Sequence, residues 1–155
     1  MNDKRSLQDI HAPKSICFGC GPLNENGLKI KSYKYKNGLR MSFHPKKEHQ
    51  AFPGVLNGGI IGTLFDCHGN WTAAMSIFES NNQKQFPATV TAFFEVQLLK
   101  PTPVDTKIEI FSQIITSSKN KAKVELELFS KNDICAKSIG VFISVKEGHP
   151  AFYRW

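Results

Sequence analysis

The feature that most constrains the fold is one long helical segment, residues 55–78, in a chain whose other patterned segments have the periodicity of strands. Apolar residues recur every three or four positions along it until polar Glu79 ends the pattern. Pro53 and Gly54 form a predicted turn before it, and Asn57 is the predicted N-cap because its side chain accepts hydrogen bonds from first-turn N–H groups. The chain must therefore bury a single long helix against strands.

The predicted helix has a small face and a bulky face when its residues are placed about 100° apart. The small face consists of Gly59, Gly62, Asp66, Gly69, Asn70 and Ala73. A glycine inside a helix costs about 1 kcal/mol relative to alanine, so several on one face indicate that a sheet, another helix or a ligand approaches the backbone closely. Because one sheet covers only the bulky face, we expect a second subunit or a ligand on the small face.

Six further segments have the apolar pattern and the flanking turn residues that are typical of strands. They cover residues 28–35 and 39–44 before the helix and residues 88–99, 107–116, 122–129 and 134–145 after it. Asn37 and Gly38 predict a tight hairpin between the first two, and short polar spacers predict antiparallel hairpins between the last three. The sequence therefore predicts an α+β fold in which an antiparallel sheet of about six strands wraps around one long central helix.

Composition limits the number of domains and the cellular setting. With 155 residues, of which 41% are hydrophobic and 21% charged, the chain suits one globular domain, predicted over residues 15–155 after an N-terminal tail of residues 1–14. The tail lacks the apolar core of a signal peptide, and no apolar run approaches the roughly 18 residues of a membrane span. We therefore expect a cytoplasmic protein without a membrane partner.

The formal charge of +7 is concentrated in two places. Residues 29–47 contain lysine and arginine but no acidic residue, and Lys119, Lys121 and Lys123 form a second cluster at a predicted turn. Such clusters attract nucleic acids, membrane surfaces or phosphate-bearing cofactors, and they also occur as solvated strand edges and turns. No nucleic-acid-binding motif accompanies them, so no nucleic-acid partner is expected.

Cys17 and Cys20 form a lone CxxC pair in a loop that is rich in glycine. A tetrahedral zinc site needs four ligands, and the sequence has no second CxxC and no HxxxH to supply the other two. A redox pair would need the strand-then-helix setting that lowers a thiol pKa, which this loop does not provide. We therefore expect free thiols at positions 17, 20, 67 and 135, with no metal and no cofactor.

Several short motifs stand in a fixed order along the chain. They are residues 17–22 (CFGCGP), Asn24, residues 27–28 (GL), residues 53–59 (PGVLNGG), Asp66 and residues 98–101 (LLKP). In this order and spacing they resemble the hotdog-fold acyl-CoA thioesterases of the phenylacetyl-CoA thioesterase (PaaI) type, over roughly residues 15–146. The resemblance implies hydrolysis of an acyl-CoA thioester to a free acid and CoA. It also implies a homodimer, commonly paired into a homotetramer, with each site between two subunits.

The resemblance implies roles for individual residues. The family's His-Gly-Gly motif falls on Asn57, Gly58 and Gly59, where the Gly59 N–H would polarise the thioester carbonyl. Asp66 would be the general base for the attacking water, or a nucleophile. Thr91 matches the family's hydroxyl residue that orients the water.

Other residues are candidates for binding the substrate. They are Gly58 at the helix start, His49 and Phe52 in the preceding loop, Thr89 beside Thr91 on one strand face, and Lys121 and Lys123 for the CoA phosphates. Each has an ordinary alternative, because β-branched residues favour strands and lysines favour solvated turns. Phe52 likewise suits an acyl tunnel or the hydrophobic core.

The two parts of the predicted catalytic site, at the helix start and at Asp66, are far apart on the helix. Asn57 and Asp66 are nine residues apart, which places them about 180° apart and roughly 13 Å along the helix axis. They cannot meet within one chain, and a site between two subunits accounts for the separation. Asp66 and His68 lie about 200° apart around the helix and do not form a dyad, so His68 is predicted to be a core or subunit-interface residue.

Asn57 is where the chain departs from the family pattern. Asparagine cannot donate or accept a proton as an acid or base, although it can cap a helix and donate a hydrogen bond. Two functions therefore remain open: acyl-CoA hydrolysis, and acyl-CoA binding without turnover. A hotdog hydratase would need a histidine poised with a carboxylate over the acyl chain, and His68 and Asp66 do not supply that pattern.

Overall fold

The segments with alternating polarity fold into strands around one long helix in the computed structural model, which describes residues 5–155. In chain order the elements are α1 (Leu7–His11), β1 (Tyr33–Tyr35), β2 (Gly38–Phe43), β3 (Gln50–Phe52), β4 (Val55–Leu56), α2 (Gly58–Ser80), β5 (Thr89–Leu98), β6 (Ile108–Ser117), β7 (Lys121–Ser130) and β8 (Asp133–Ser144). A single 3₁₀ turn, Lys47–His49, precedes β3. Within the described residues, no helix is long and apolar enough to cross a membrane.

Six strands form one antiparallel sheet in the order β1-β2-β6-β7-β8-β5, which leaves β1 and β5 at its edges. Alternate residues of β7 are buried, and α2 packs against β2 and β5 to β8 on this apolar side. The helix side of β7 consists of Ala122, Val124, Leu126 and Leu128. The predicted α+β fold, a six-stranded antiparallel sheet wrapped around one long helix, is confirmed.

α2 begins at Gly58, directly after its predicted cap, and the two apolar residues before the cap belong to a strand. Val55 and Leu56 pair with β3 in a small separate ribbon, which turns at Gly54 with a φ of +83°. A positive φ of this size suits glycine, which has no Cβ to clash. Asn57 then caps the helix as predicted, because its Oδ1 accepts the Gly59 N–H at 2.7 Å.

The first predicted strand, residues 28–35, joins the sheet only at its end, Tyr33–Tyr35. The N–H groups of Leu28 and Ile30 donate instead to the carbonyls of Phe18 and Gly19, at 2.8 and 3.0 Å. The apolar alternation still has the predicted effect, since both Leu28 and Ile30 are buried. This pairing ties the CxxC loop to the body of the fold.

Part of the predicted N-terminal tail packs against the core. Residues 1–4 lie outside the described residues, whereas Leu7 and Ala12 are buried and belong to the hydrophobic core. The side chain of Gln8 is buried as well, and its Oε1 accepts the N–H of Ser32 at 2.8 Å. Residues 6–12 are therefore held by the fold, because a short helix turns their apolar side inward.

Three of the four glycines of α2, namely Gly58, Gly62 and Gly69, meet side chains of the chain's own sheet. A Cβ added at Gly69 would lie 2.5 Å from Cζ of Phe142, so this buried ring needs the glycine. At Gly62 the nearest atom is Cε2 of Phe94, at an ordinary 3.9 Å. The expectation that a second subunit or ligand covers the small face is thus wrong for Gly69, which the sheet itself covers.

Candidate active site

The carboxylate of Asp66 lies half-buried in the middle of α2, opposite the edge strand β5. Oγ1 of Thr91 donates a hydrogen bond to Oδ1 of Asp66. Thr91 lies on β5, the first strand after α2, which is where the sequence placed it. The structure therefore brings together two of the predicted catalytic residues, and within residues 5–155 the second carboxylate oxygen of Asp66 accepts no hydrogen bond.

Two further side chains fix the direction of this hydrogen bond. Oγ1 of Thr89 donates to Oδ1 of Asn70 at 2.9 Å, and Nδ2 of Asn70 donates to Oγ1 of Thr91 at 2.8 Å. Asp66 and Asn70 are one helical turn apart, and Thr89 and Thr91 share a strand face. The two helix side chains and the two strand side chains therefore face one another across α2 and β5. Because each hydroxyl has only one proton, all donors in the series point towards the Asp66 carboxylate, its terminal acceptor.

Burial and charge act in opposite directions on Asp66. Burial raises the pKa of its carboxyl above the ordinary value, while the Thr91 hydrogen bond and the positive charge of Arg154 oppose that rise. Arg154 is held in place through Nη1, which donates to the carbonyl of Thr89 at 2.8 Å. A carboxylate with a raised pKa is a stronger base than an exposed one, which suits proton abstraction from water.

The start of α2 forms the other predicted half of the site. The N–H of Asn57 donates to the carbonyl of His49 at 2.9 Å, and the Asn57 side chain accepts the Gly59 N–H. The predicted carbonyl-polarising donor is therefore engaged by the cap. Nδ1 of His49 accepts the N–H of Lys46 at 3.0 Å, and burial lowers the His49 pKa. His49 thus positions the helix start through its backbone.

The remaining substrate-binding candidates lie apart from Asp66 within one chain. Phe52 is 59% exposed on the β3–β4 ribbon, and an added Cβ at Gly58 would lie 3.2 Å from Cδ1 of Leu98. Lys121 and Lys123 are exposed and alternate with the buried residues of β7, so they lie on the sheet face away from α2. Glu125 and Glu127 follow on the same face, so the two lysines make only one end of β7 basic.

His68 is a core residue and does not face Asp66. Its side chain is fully buried, with Nδ1 2.8 Å from Oγ of Ser32 and Nε2 3.3 Å from Oγ of Ser112. Burial lowers the pKa of His68 to about 3. His68 was predicted to lie in the core or at a subunit interface, and it lies in the core of the single chain. Its ring is neutral at physiological pH.

Three residues near Asp66 have no part in the predicted site. The sequence indicates Asn70 as a neighbour of Asp66, because both lie on the small helical face. It does not indicate Arg154, which is 88 positions from Asp66 in the sequence. Cys67 lies with Cys17 and Cys20 in a cluster whose sulfur atoms are all within 4.8 Å of one another. All four cysteines are free thiols, and the cluster of three is the one group of potential metal ligands among residues 5–155.

Solved structures share this fold, although no protein-family model and no curated protein matches the sequence. A thioesterase superfamily protein from Shewanella loihica is 32% identical, covers 76% of this chain and 91% of its own, and has a TM-score of 0.64. The PaaI protein of the E. coli phenylacetic acid degradation operon is 13% identical over 77% of this chain and 81% of its own, with a TM-score of 0.65. A Streptococcus mutans protein bound to acetyl-CoA is 14% identical over 75% of this chain and 88% of its own, with a TM-score of 0.62.

Proposed function

The chain belongs to the thioesterase superfamily, and on that premise we propose that it hydrolyses an acyl-CoA thioester to a free acid and CoA. The observation that carries the proposal is the half-buried Asp66 carboxylate, the end point of a series of donors from Thr89, Asn70 and Thr91. This series holds one carboxylate oxygen in place and leaves the other for a water molecule. A general base held in this way matches the demands of hydrolysis.

In the proposed reaction, Asp66 takes a proton from water while the water oxygen bonds to the thioester carbon. The carbonyl electrons move onto oxygen, where the N–H of Gly59 stabilises the negative charge at the positive end of α2. When the carbonyl reforms, the carbon–sulfur bond breaks, and the CoA thiolate takes up the proton held by Asp66. Thr91 keeps the carboxylate oriented throughout.

The two half-sites require two chains. Gly59 and Asp66 are seven residues apart on one helix, roughly 10 Å along its axis, so the N–H at the helix start and the carboxylate in the middle are too far apart to act on one thioester carbonyl. We propose a homodimer in which the helix start of one chain faces Asp66 of its partner, and a pair of such dimers as the full assembly. The edge strand β5, whose Phe93 and Phe94 are exposed, lies beside Asp66 and is available for such a contact.

Mixing two inactive variants tests this arrangement. Asp66→Asn removes the base, and Gly59→Pro removes the helix-start N–H at a position of the first turn where proline is compatible with the helix. A mixed dimer of the two contains one site with both wild-type halves. Co-expression should restore activity that neither variant has alone, whereas a site formed within one chain predicts no recovery.

The main test of function is thiol release from short, medium, long and aromatic acyl-CoAs by the wild type and by Asp66→Asn. General-base catalysis contributes roughly 10²–10⁴-fold, so the variant should lose about that factor in kcat while its melting temperature stays unchanged or rises. Asp133→Asn, which alters an exposed aspartate paired with Lys100, is the matched control. Undiminished hydrolysis by Asp66→Asn would eliminate the mechanism.

Isotope labelling separates the two roles open to Asp66. In a single turnover in ¹⁸O-water, a general base places the label in the released acid. A nucleophilic Asp66 first forms an anhydride with the acyl group, and hydrolysis of that anhydride at the aspartyl carbon places the label in the protein. Label in the peptide that contains Asp66, detected by mass spectrometry, identifies a nucleophile, whereas label in the acid alone is expected of a general base and also of an anhydride opened at the acyl carbon.

A second candidate function, acyl-CoA binding without turnover, is favoured by the helix cap. The Gly59 N–H that would polarise a carbonyl already donates to Asn57 at 2.7 Å. A substrate carbonyl has to displace that side chain, and Asn57 cannot supply a proton. CoA-ester binding by calorimetry with no thiol release across the panel would support this function. Asn57→His should then gain hydrolysis, with Asn57→Ala as the variant that removes the cap alone.

A further inference from the structure

Three cysteine side chains that are distant in sequence converge beside Asp66. Cys17 and Cys20 come from the loop after α1, and Cys67 comes from the middle of α2. Their sulfur atoms all lie within 4.8 Å of one another, and the Cys17 and Cys67 sulfurs are 3.8 Å apart. The convergence is a product of the tertiary structure, because Cys67 is 50 positions from Cys17.

The loop is shaped to hold this cluster. The N–H of Gly21 donates to the carbonyl of Cys17 at 2.8 Å, which closes a tight turn around the CxxC pair. An added Cβ at Gly19 would collide with Sγ of Cys67, so the loop backbone lies directly over that thiol. The pairing of this loop with Leu28 and Ile30 anchors it to the body of the fold.

We propose that Cys17, Cys20 and Cys67 bind a thiophilic d¹⁰ metal ion, Zn²⁺ or Cu⁺. Metal–sulfur bonds of about 2.3 Å place ligand sulfurs roughly 3.8–4.0 Å apart, so the observed spacing needs little adjustment. Three thiolates alone satisfy trigonal Cu⁺, and Zn²⁺ completes its tetrahedron with a water molecule. This site is separate from the hydrolysis proposed above and does not depend on it.

One neighbouring side chain and one exposed sulfur suit metal binding at this cluster. The indole N–H of Trp71 donates to Sγ of Cys20 at 3.3 Å, a contact that orients a ligand sulfur and stabilises negative charge on it. Cys17 is the only partly exposed member of the cluster, whereas Cys20 and Cys67 are buried. Cys17 thus provides the route of entry. Each thiol releases its proton to solvent as its sulfur bonds to the metal.

Cys135 provides an internal comparison. It is buried, and its sulfur contacts the backbone carbonyl of Asp133 at 3.7 Å, outside the cluster. It has the ordinary setting of a structural cysteine that packs as a small apolar residue. A Cys135→Ser variant therefore has the same chemical change as a Cys17→Ser or Cys20→Ser variant without altering the proposed ligands.

Metal titration of the fully reduced chain tests the site. Zn²⁺ affinity is measured against a chromophoric chelator, Cu⁺ affinity against a Cu⁺-specific chelator, and bound metal per chain by mass spectrometry. We expect one ion per chain, and a rise in melting temperature on binding. Cys17→Ser and Cys20→Ser should lower the affinity by more than the roughly 10–100-fold expected for loss of an outer-shell contact, and Cys135→Ser should leave it unchanged.

Cobalt substitution gives a direct spectroscopic readout. Co²⁺ at the site should show thiolate-to-cobalt charge-transfer absorption, which Cys17→Ser weakens and Cys135→Ser retains. Circular dichroism establishes that each variant is folded, and the half-buried position of Cys17 makes its serine variant the safest of the three. Absence of stoichiometric metal binding by the reduced wild type overturns the proposal. An affinity that Cys17→Ser and Cys135→Ser leave equally unchanged also overturns it, and so does a cluster that only forms a disulfide in air.

Discussion

Thr91 on the edge strand β5 donates a hydrogen bond to Asp66 in the middle of α2. This contact joins the long helix to the rim of the sheet, where a second chain can approach the free carboxylate oxygen. Thr91 is itself held by Asn70, whose Nδ2 donates to its Oγ1. Substitutions along this contact therefore separate catalytic effects from structural ones.

Replacing Thr91 with valine removes the hydroxyl and keeps the β-branched shape. A hydrogen bond to a charged group contributes about 1.5–3 kcal/mol, so kcat should fall by roughly 10–100-fold with little change in KM. Thr91→Ser should retain most of the activity, because it keeps the donor. Thr116→Val, at an exposed strand threonine, is the control. A loss that is equal for valine and serine would mean that Thr91 acts through packing alone.

Lys121 and Lys123 are predicted to bind the CoA phosphates from the outer face of the sheet. The double substitution Lys121→Ala/Lys123→Ala should raise KM for acyl-CoA and leave KM unchanged for the acyl-N-acetylcysteamine thioester, which has no phosphate. Steady-state kinetics with the two substrates measure the difference. Lys84→Ala/Lys146→Ala, an exposed pair outside both basic clusters, is the matched control. Equal KM changes for both substrates would argue against a phosphate contact.

Gly69 and Gly62 should respond in opposite ways to alanine. Gly69→Ala places a methyl group against the ring of Phe142 and should lower the free energy of unfolding by about 1–3 kcal/mol. Gly62→Ala meets only ordinary contact with Phe94, so the higher helix propensity of alanine should raise that free energy by up to about 1 kcal/mol. Denaturant unfolding of both variants provides the measurement. Equal destabilisation would show that a close contact also exists at Gly62.

His68 should make the fold less stable in mild acid. Its pKa is about 3 when folded, against the ordinary 6.5 when unfolded, so the unfolded chain binds the extra proton between these values. The contribution is complete above pH 6.5 and is lost as the pH falls. Between pH 6.5 and 5 the free energy of unfolding should fall by about 2 kcal/mol, since one pKa unit corresponds to about 1.4 kcal/mol.

Denaturant unfolding at several pH values tests the His68 prediction. The Asp66→Asn background is the best one, because the raised pKa of Asp66 has the opposite effect on stability. In that background His68→Gln should flatten the dependence on pH. A slope that survives the substitution would assign it to other groups.

Local patterns predicted most of the fold and half of the candidate site. The helix, its Asn57 cap, the six-stranded sheet and the shared face of Thr89 and Thr91 follow from periodicities of 3.6 and 2 residues. The sequence predicts less where backbone hydrogen bonds form outside the segments with a regular apolar pattern. The β3–β4 ribbon and the partial first strand depend on which backbone groups meet, and α1 depends on a core into which Leu7 can pack.

The sequence by itself determined the elements and the faces they present, because side-chain direction along a helix or strand is a local property. Only the tertiary structure decided which distant groups surround Asp66. Arg154 and Cys17 reach its neighbourhood from opposite ends of the chain, and Cys67 completes a cluster that the CxxC pair alone cannot form. These long-range contacts depend on how the sheet, the loop and the C-terminus pack together. The residue spacing within one segment does not predict them. The occupation of the Gly59 N–H by Asn57 is, by contrast, a local contact of the helix cap, and the sequence already predicts it.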